Sequence, residues 1–270
     1  MNLFKKFAFT LGLTVVASST FANQSITVGA TETPHGVILE SIKPQLAKQG
    51  IDLKIKIYPD FEQANVDVAT KKIDASYIVY RPYIARFNTL NKTNLVSVVP
   101  VHIEPFILYS NKVKSLKEVP YGAMVVIAND VVDTGRALLL LNKLNLITLK
   151  SEVNHYDALT DKLPTVQDIT SNPKNLEIRQ YNAEKLADII KITDFVILNG
   201  NIFLQEKLNK SNVLYMERGL DGKNIWAEYL VTRPNDVNDV AVKKVAQALN
   251  SQATKDFINK TFKGEISPAF

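Results

Sequence analysis

The chain predicts an α/β protein of two interleaved lobes, each a mostly parallel sheet covered by helices. Three observations carry this. Short runs rich in β-branched residues alternate with amphipathic helical runs along the 270 residues. No internal repeat, low-complexity tract or Pro/Gly-rich linker divides the chain. The last helical stretch is too short to fold alone, so it must rejoin an earlier lobe.

The first 22 residues, "MNLFKKFAFTLGLTVVASSTFA", stand outside the fold. Lys5 and Lys6 precede an apolar run from Phe7 to Ala17, and Thr20 and Ala22 fit the −3 and −1 positions of a cleavage site before Asn23. That is the pattern of a secretory signal peptide. A helix of that apolar length rises about 16 Å, against roughly 30 Å of hydrocarbon core, so it is not expected to span a membrane. The chain has no cysteine, so neither a disulfide nor a lipidated N-terminal cysteine is expected. Together these features point to a soluble protein of a bacterial periplasm with no lipid anchor. The mature chain of 248 residues (270 less 22) is long enough for one large domain or two lobes. Removing two lysines from the 32 basic residues leaves 30 against 27 acidic ones, a net charge near +3 spread along the chain. No nucleic-acid footprint results.

"SITVGA" (25–30) reads as a strand, "HGVILESIKPQLAKQG" (35–50) as a helix ended by Gly50, and "IDLKIKIYP" (51–59) as an alternating strand. "QANVDVATKKID" is helical and leads into "ASYIVYRPYI". Residues 95–110 form a long apolar strand region, and "AMVVIAND" (123–130) reads as a buried strand. The following helix, 133–147, is expected to be capped by Asp133 or Thr134. "ADIIKITDFVILNGN" is helix end, strand and loop. "IWAEYLVTRP" (225–234) is another strand, followed by a helix from Asp239 to Phe262.

Catalytic constellations are thin. His35, His102 and His155 are the three histidines, and no thiol nucleophile, G-x-S-x-G elbow, phosphate loop or dinucleotide fingerprint occurs. "HIE" at 102–104 offers two possible metal ligands, but zinc sites usually need three or four. His102 reads better as a hydrogen-bonding residue, and no metal or cofactor is predicted. Carboxylates are scattered, so a glycosidase-like pair is neither identified nor excluded. Enzyme activity is not predicted. Tyr77, Tyr80 and Tyr83 recur at intervals of three within "DASYIVYRPYI". They fit either the buried face of a helix or a strand-to-helix corner pointing phenol rings into one cavity.

"VGATETPHGVILE", "VHIEPFILYS", "VVIANDVVDTGRALLLL", "VQDITSNPKNLEIRQ", "LNGN" and "FKGEISPAF", in that order, closely resemble the NlpA/MetQ-type methionine-binding proteins of bacterial ABC importers. The resemblance covers essentially the whole mature chain, and Ile127 to Leu141 is its most specific part. It implies a two-lobed periplasmic-binding fold of type II that closes on a free amino acid and docks on an inner-membrane permease. The lobes are expected at 23–107 with 228–270 and at 108–227, in a monomer. Family members usually carry a lipobox cysteine, which this chain lacks.

A buried zwitterion needs a fixed cation for its carboxylate and acceptors for its amine. Arg136 matches the family arginine that meets the ligand carboxylate, and Asn199 a family asparagine that hydrogen-bonds the ligand. The tyrosine stretch matches a family segment reading D-A-N-F-F-Q-H-K-P-Y-L. This makes it a pocket wall, with Tyr77, Tyr80 and Tyr83 forming an apolar slot and Phe61 opposite. Tyr80 replaces the usual histidine, Val79 a glutamine and Ser76 an asparagine. Glu228 stands where the family commonly has an asparagine that touches the ligand. A carboxylate there needs a cation: the ligand's amine, Lys223 or an arginine. The resemblance therefore implies a solute-binding protein for methionine, a related amino acid or a short methionyl peptide. A different amine-bearing ligand is the alternative, and a secreted adhesin or interaction protein a further one.

Overall fold

The computed structural model describes residues 24–156, 162–218 and 225–270. The expected signal peptide with its cleavage site lies outside the described residues, as does Lys223.

The strands are β1 (Gln24–Ala30), β2 (Ile51–Ile57), β3 (Ala75–Tyr80), β4 (Val96–Ile103), β5 (Phe106–Tyr109), β6 (Met124–Ala128), β7 (Thr148–Leu149), β8 (Ile169–Ser171), β9 (Glu177–Tyr181), β10 (Phe195–Asn199), β11 (Val213–Met216), β12 (Ala227–Thr232) and β13 (Ser267–Pro268). The helices are α1 (Val37–Ala47), α2 (Phe61–Ala69), α3 (Arg81–Asn91), α4 (Val131–Lys143), α5 (Leu186–Ile189), α6 (Gly200–Gln205), α7 (Val240–Leu249) and α8 (Gln252–Phe262). One sheet runs β13-β4-β12-β3-β1-β2 and another β11-β5-β10-β6-β9, with β7 and β8 as a separate pair.

Both large sheets are mixed rather than mostly parallel. β2, β1 and β3 run in parallel, β12 lies antiparallel between β3 and β4, and β13 is antiparallel to β4. In the second sheet β9, β6 and β10 are parallel, while β5 and β11 add antiparallel pairs. The chain enters the second sheet at β5, straight from β4, and returns to the first at β12. A strand arriving from the other sheet needs no crossover helix, so nothing forces it into the parallel direction. The apolar region 95–110 is thus two strands in two sheets, separated at Glu104 and Pro105.

Two further expectations are corrected by capping. Helix α4 begins at Val131, not at Asp133, because the Asp130 side chain accepts from the backbone N–H groups of Val132 and Asp133. Asp133 therefore lies in the first turn of the helix and is buried. The single helix expected over 239–262 is two, because Ser251 caps α8 by accepting from Thr254 N.

The first core packs β1 and β2 under α1 and α7, joining Ile38, Leu39 and Leu46 to Val242, Val245 and Leu249. Each such side chain contributes about 1.5 to 3 kcal/mol of burial. A second core sets Leu138 and Leu141 of α4 against Val125, Ile127 and Ile197. These two cores hold rigid the strand ends on which the polar residues below are mounted.

Candidate functional site

Polar side chains converge where strands end between the two sheets. β3 ends at Tyr80, and α3 brings Tyr83 one turn later. β10 ends at Asn199, and α6 begins immediately with Gly200 and Asn201. The turn after β6 supplies Asp130, and the start of α4 supplies Asp133 and Arg136. Glu104 sits in the passage from β4 to β5, Glu228 on β12, and His35 in the turn after β1. Ends of parallel strands are where open α/β sheets gather ligand groups.

A narrow cavity of about 10 Å³ is lined by Phe61, Tyr80, Tyr83, Asn199 and Glu228, together with His35, Glu104, Asp133 and Asn201. Of the side chains expected from the sequence, Tyr77 and Arg136 stand behind this lining. Tyr77 is fully buried, its hydroxyl hydrogen-bonded to His102 Nδ1 and its ring edge-on to His35 at 4.8 Å. The three tyrosines therefore do not share one slot. β3 is buried on both faces, and a bulge at Ile78 breaks its alternation: Tyr80 pairs with Glu228 at the cavity, while Tyr77 pairs with Leu230 and packs in the first core.

Arg136 is 2 % exposed. Its Nη2 donates to Glu217 Oε2 at 2.6 Å and to the Glu104 carbonyl at 2.7 Å. The guanidinium lies 4.1 Å from the Phe106 ring centre, 4.8 Å from that of Trp226 and 5.6 Å from that of Tyr80. Burial opposes its charge, but Glu217, Tyr80 and Asp133 outweigh that and hold it protonated. Its Nε has no hydrogen-bond partner among the described residues.

The acceptors are arranged differently. Asp133 takes hydrogen bonds from the Tyr80 hydroxyl and from Asn199 Nδ2, the latter at 3.2 Å. Glu104 accepts from Asn201 N at 2.7 Å and from the His102 ring at 3.0 Å. His35 Nδ1 pairs with Thr31 Oγ1 at 2.7 Å, while its Nε2 lies 3.5 Å from Glu104 Oε1 and 3.8 Å from Glu228 Oε2. Glu228 Oε2, Asn199 Oδ1 and Asn201 Oδ1 are buried without a partner among the described residues. The lining thus leaves acceptors open, together with the His35 Nε2 nitrogen.

Burial sets the proton affinities. It pushes Glu228 well above the usual carboxylate range, helped by Glu104, and raises Asp133 and Glu104 as well. It lowers His35 to about 4 against the pull of Glu104, so this ring is neutral near pH 7. His102 is also held well below its ordinary value, by burial and then by His35. His35, His102 and Glu104 bring three possible metal-ligand atoms within 4.8 Å of one another. Their bonds to Thr31, Tyr77 and Asn201 make them a hydrogen-bonded network that orients Glu104.

Sequence reasoning missed His35, Asp133 and Asn201 as cavity residues and weighed Glu104 only as a metal ligand. The available signal was position: each stands at, or within a few residues of, the end of a predicted strand.

A model of the NlpA lipoprotein family matches residues 26–270. The methionine-binding lipoprotein MetQ of Bacillus subtilis is 36% identical over 249 residues, covering 91% of this chain and 88% of that protein. The D-methionine-binding lipoprotein MetQ of Escherichia coli O157:H7 is 31% identical over 220 residues, covering 80% of this chain and 78% of its own. A nutrient-binding protein from Burkholderia cenocepacia, solved bound to methionine, superposes with a TM-score of 0.84 at 29% identity, over 91% of this chain and all of that one. Matched along nearly its whole described length in sequence and fold, the chain belongs to the NlpA lipoprotein family.

Proposed function

We propose that this protein is the substrate-binding component of an ABC importer, taking methionine or a related amino acid or short peptide between its two sheets. It acts as a monomer without catalysis, from the periplasm, and hands the solute to an inner-membrane permease. The missing cysteine supports a form without the lipid anchor implied by its relatives' names. The two sheets would be the two closing lobes, 23–107 with 228–270 and 108–227, hinged near Glu104–Pro105 and ahead of β12.

The observation that carries this reading is the pairing of opposite needs, one behind the cavity lining and one on it. Arg136 Nε is a buried donor without a partner, and Glu228 Oε2 a buried carboxylate oxygen without one. A zwitterion answers both, with its carboxylate toward the guanidinium and its ammonium toward Glu228. Tyr80, Tyr83 and Phe61 then form the slot for the side chain, where aromatic–thioether contacts contribute about 0.3 to 1.5 kcal/mol each. Calorimetric titration with L- and D-methionine, the other amino acids and methionyl dipeptides tests it. Saturable one-to-one binding of an amino acid, lost on N-acetylation, is expected. If no amino acid or dipeptide binds, the reading fails.

A further inference from the structure

A thioether side chain needs only apolar and aromatic walls, yet the aromatic end of this cavity is set among carboxylates. Phe61 and Tyr83 meet at 78° with ring centres 6.4 Å apart, and Tyr80 meets Tyr83 at 86° and 6.4 Å. Three rings nearly perpendicular in succession are the walls of a box. Asp133 lines the same cavity and is tied to the Tyr80 hydroxyl. Burial first, and then the neighbouring Asp130, Glu62, Asp133 and Asp60, raise the Tyr83 hydroxyl above its ordinary value.

Cations do not balance these acids on the cavity itself. Arg136, behind the lining, is engaged by Glu217 at 2.6 Å and lies 5.6 Å from the Tyr80 ring centre, so Asp133 has only a share of its charge. Arg86 lies in an outer groove beside Glu62 and Asp130 and does not line the cavity. Further along the same lining, Glu228 Oε2 and Asn199 Oδ1 are buried acceptors without a partner among the described residues. A zwitterion brings no net charge, so after its ammonium meets Glu228 the carboxyl groups still outnumber the cations, Asp133 sharing Arg136 with Glu217. An alkylated cation is attracted by the faces of several rings at once and by a carboxylate behind them.

We infer that the cavity selects an amino acid whose side chain ends in an alkylated cation, a sulfonium or a methylated ammonium, over the neutral thioether of the same shape. This rests on the proposed amino-acid-binding function and narrows its substrate class. Asp133 and Tyr80 set the preference; Tyr83 and Phe61 complete the box.

The test is calorimetric titration of the protein with methionine, S-methylmethionine and choline, a methylated cation lacking both carboxylate and primary amine. S-methylmethionine should bind at least about tenfold more tightly than methionine, the effect of one desolvated cation–aromatic contact plus a facing carboxylate. In Asp133→Asn that ratio should fall to within about threefold of one; should that variant fold poorly, Tyr83→Leu gives the same readout. If methionine binds as tightly as its S-methyl derivative or more so, the inference is overturned while the amino-acid reading stands. If choline binds and neither amino acid does, the box stands and the amino-acid reading fails. If none of the three binds, both fall.

Discussion

Glu228 is the residue at which burial and ligand chemistry meet most directly. Its carboxylate is 4 % exposed, and its nearest described basic group is the His35 ring at 3.8 Å, which burial keeps neutral. Because its folded pKa is raised, its contribution to stability is full below the unfolded value of about 4.5 and is lost as pH rises through the folded one. Glu228→Gln should therefore gain stability over the parent without ligand as pH rises from 5 to 9, in thermal melts. The same variant should bind an amine-bearing ligand more weakly, since a charge-assisted bond is roughly twice as strong as a neutral one. Unchanged affinity in calorimetry would remove Glu228 from the ligand. His35 acts in the opposite direction. Its folded pKa is depressed to about 4, so its contribution is present above the unfolded 6.5 and is lost as pH falls toward 4. The loss amounts to roughly 3 kcal/mol. Acid unfolding followed by circular dichroism should begin below pH 6.5 in the parent and shift downward in His35→Gln. Arg136→Ala should weaken binding by about 2 to 5 kcal/mol, thirtyfold or more. It should also lower the melting temperature, because Glu217 loses its partner; binding weakened less than threefold would take Arg136 out of the site.

At the scale of elements, the junction of β10 and α6 fixes the lining most tightly. A Cβ on Gly200 would lie 3.1 Å from Glu104 Cβ and 3.2 Å from Pro105 Cδ, closer than ordinary packing. The passage between β4 and β5 runs this close to the helix start where the side chain is missing, and a Cβ would require it to give by a few tenths of an ångström. That contact brings Asn201 N within 2.7 Å of Glu104. Gly200→Ala should therefore displace Glu104, cost about 1 to 3 kcal/mol of stability and weaken ligand binding together. Chemical denaturation and calorimetry on one preparation check it; a variant unchanged in both would mean that the passage yields freely.

At the scale of the whole molecule, the cavity is assembled from both large sheets: Tyr80 and Glu228 stand on one, Asn199 on the other, and Asp133 on the helix beside it. A ligand held by both should bind the folded protein alone and stabilise it by mass action, about 2.7 kcal/mol at one hundred times Kd. Closure should also reduce the radius of gyration in small-angle scattering. A ligand that raises the melting temperature without compaction would point to lobes already closed without it.

The alternation of β-branched and amphipathic runs determined the α/β class, since period 2 and period 3.6 are local properties of the chain. The strand ending before Gly200 was legible for the same reason, whereas the family resemblance singled out Tyr80, Tyr83, Asn199, Arg136 and Glu228. Tertiary structure decided what lies across space. Whether Tyr77 reaches the cavity depends on the bulge at Ile78 and on the pairing with Leu230 that seats Tyr77 in the first core, neither of which β3's own residues record. Asp133 read as a cap because Asp, Asn, Ser and Thr at a helix start look alike in sequence. Only the turn closed by Asp130 showed that the cap lies earlier and that Asp133 is free to face Tyr80 and Asn199. The mixed sheets were likewise hidden, because strand direction is set by where the chain crosses between sheets, and a strand's own residues carry no record of that. Propensity and periodicity are written along the chain, whereas charge balance around a cavity depends on contacts between residues far apart in it.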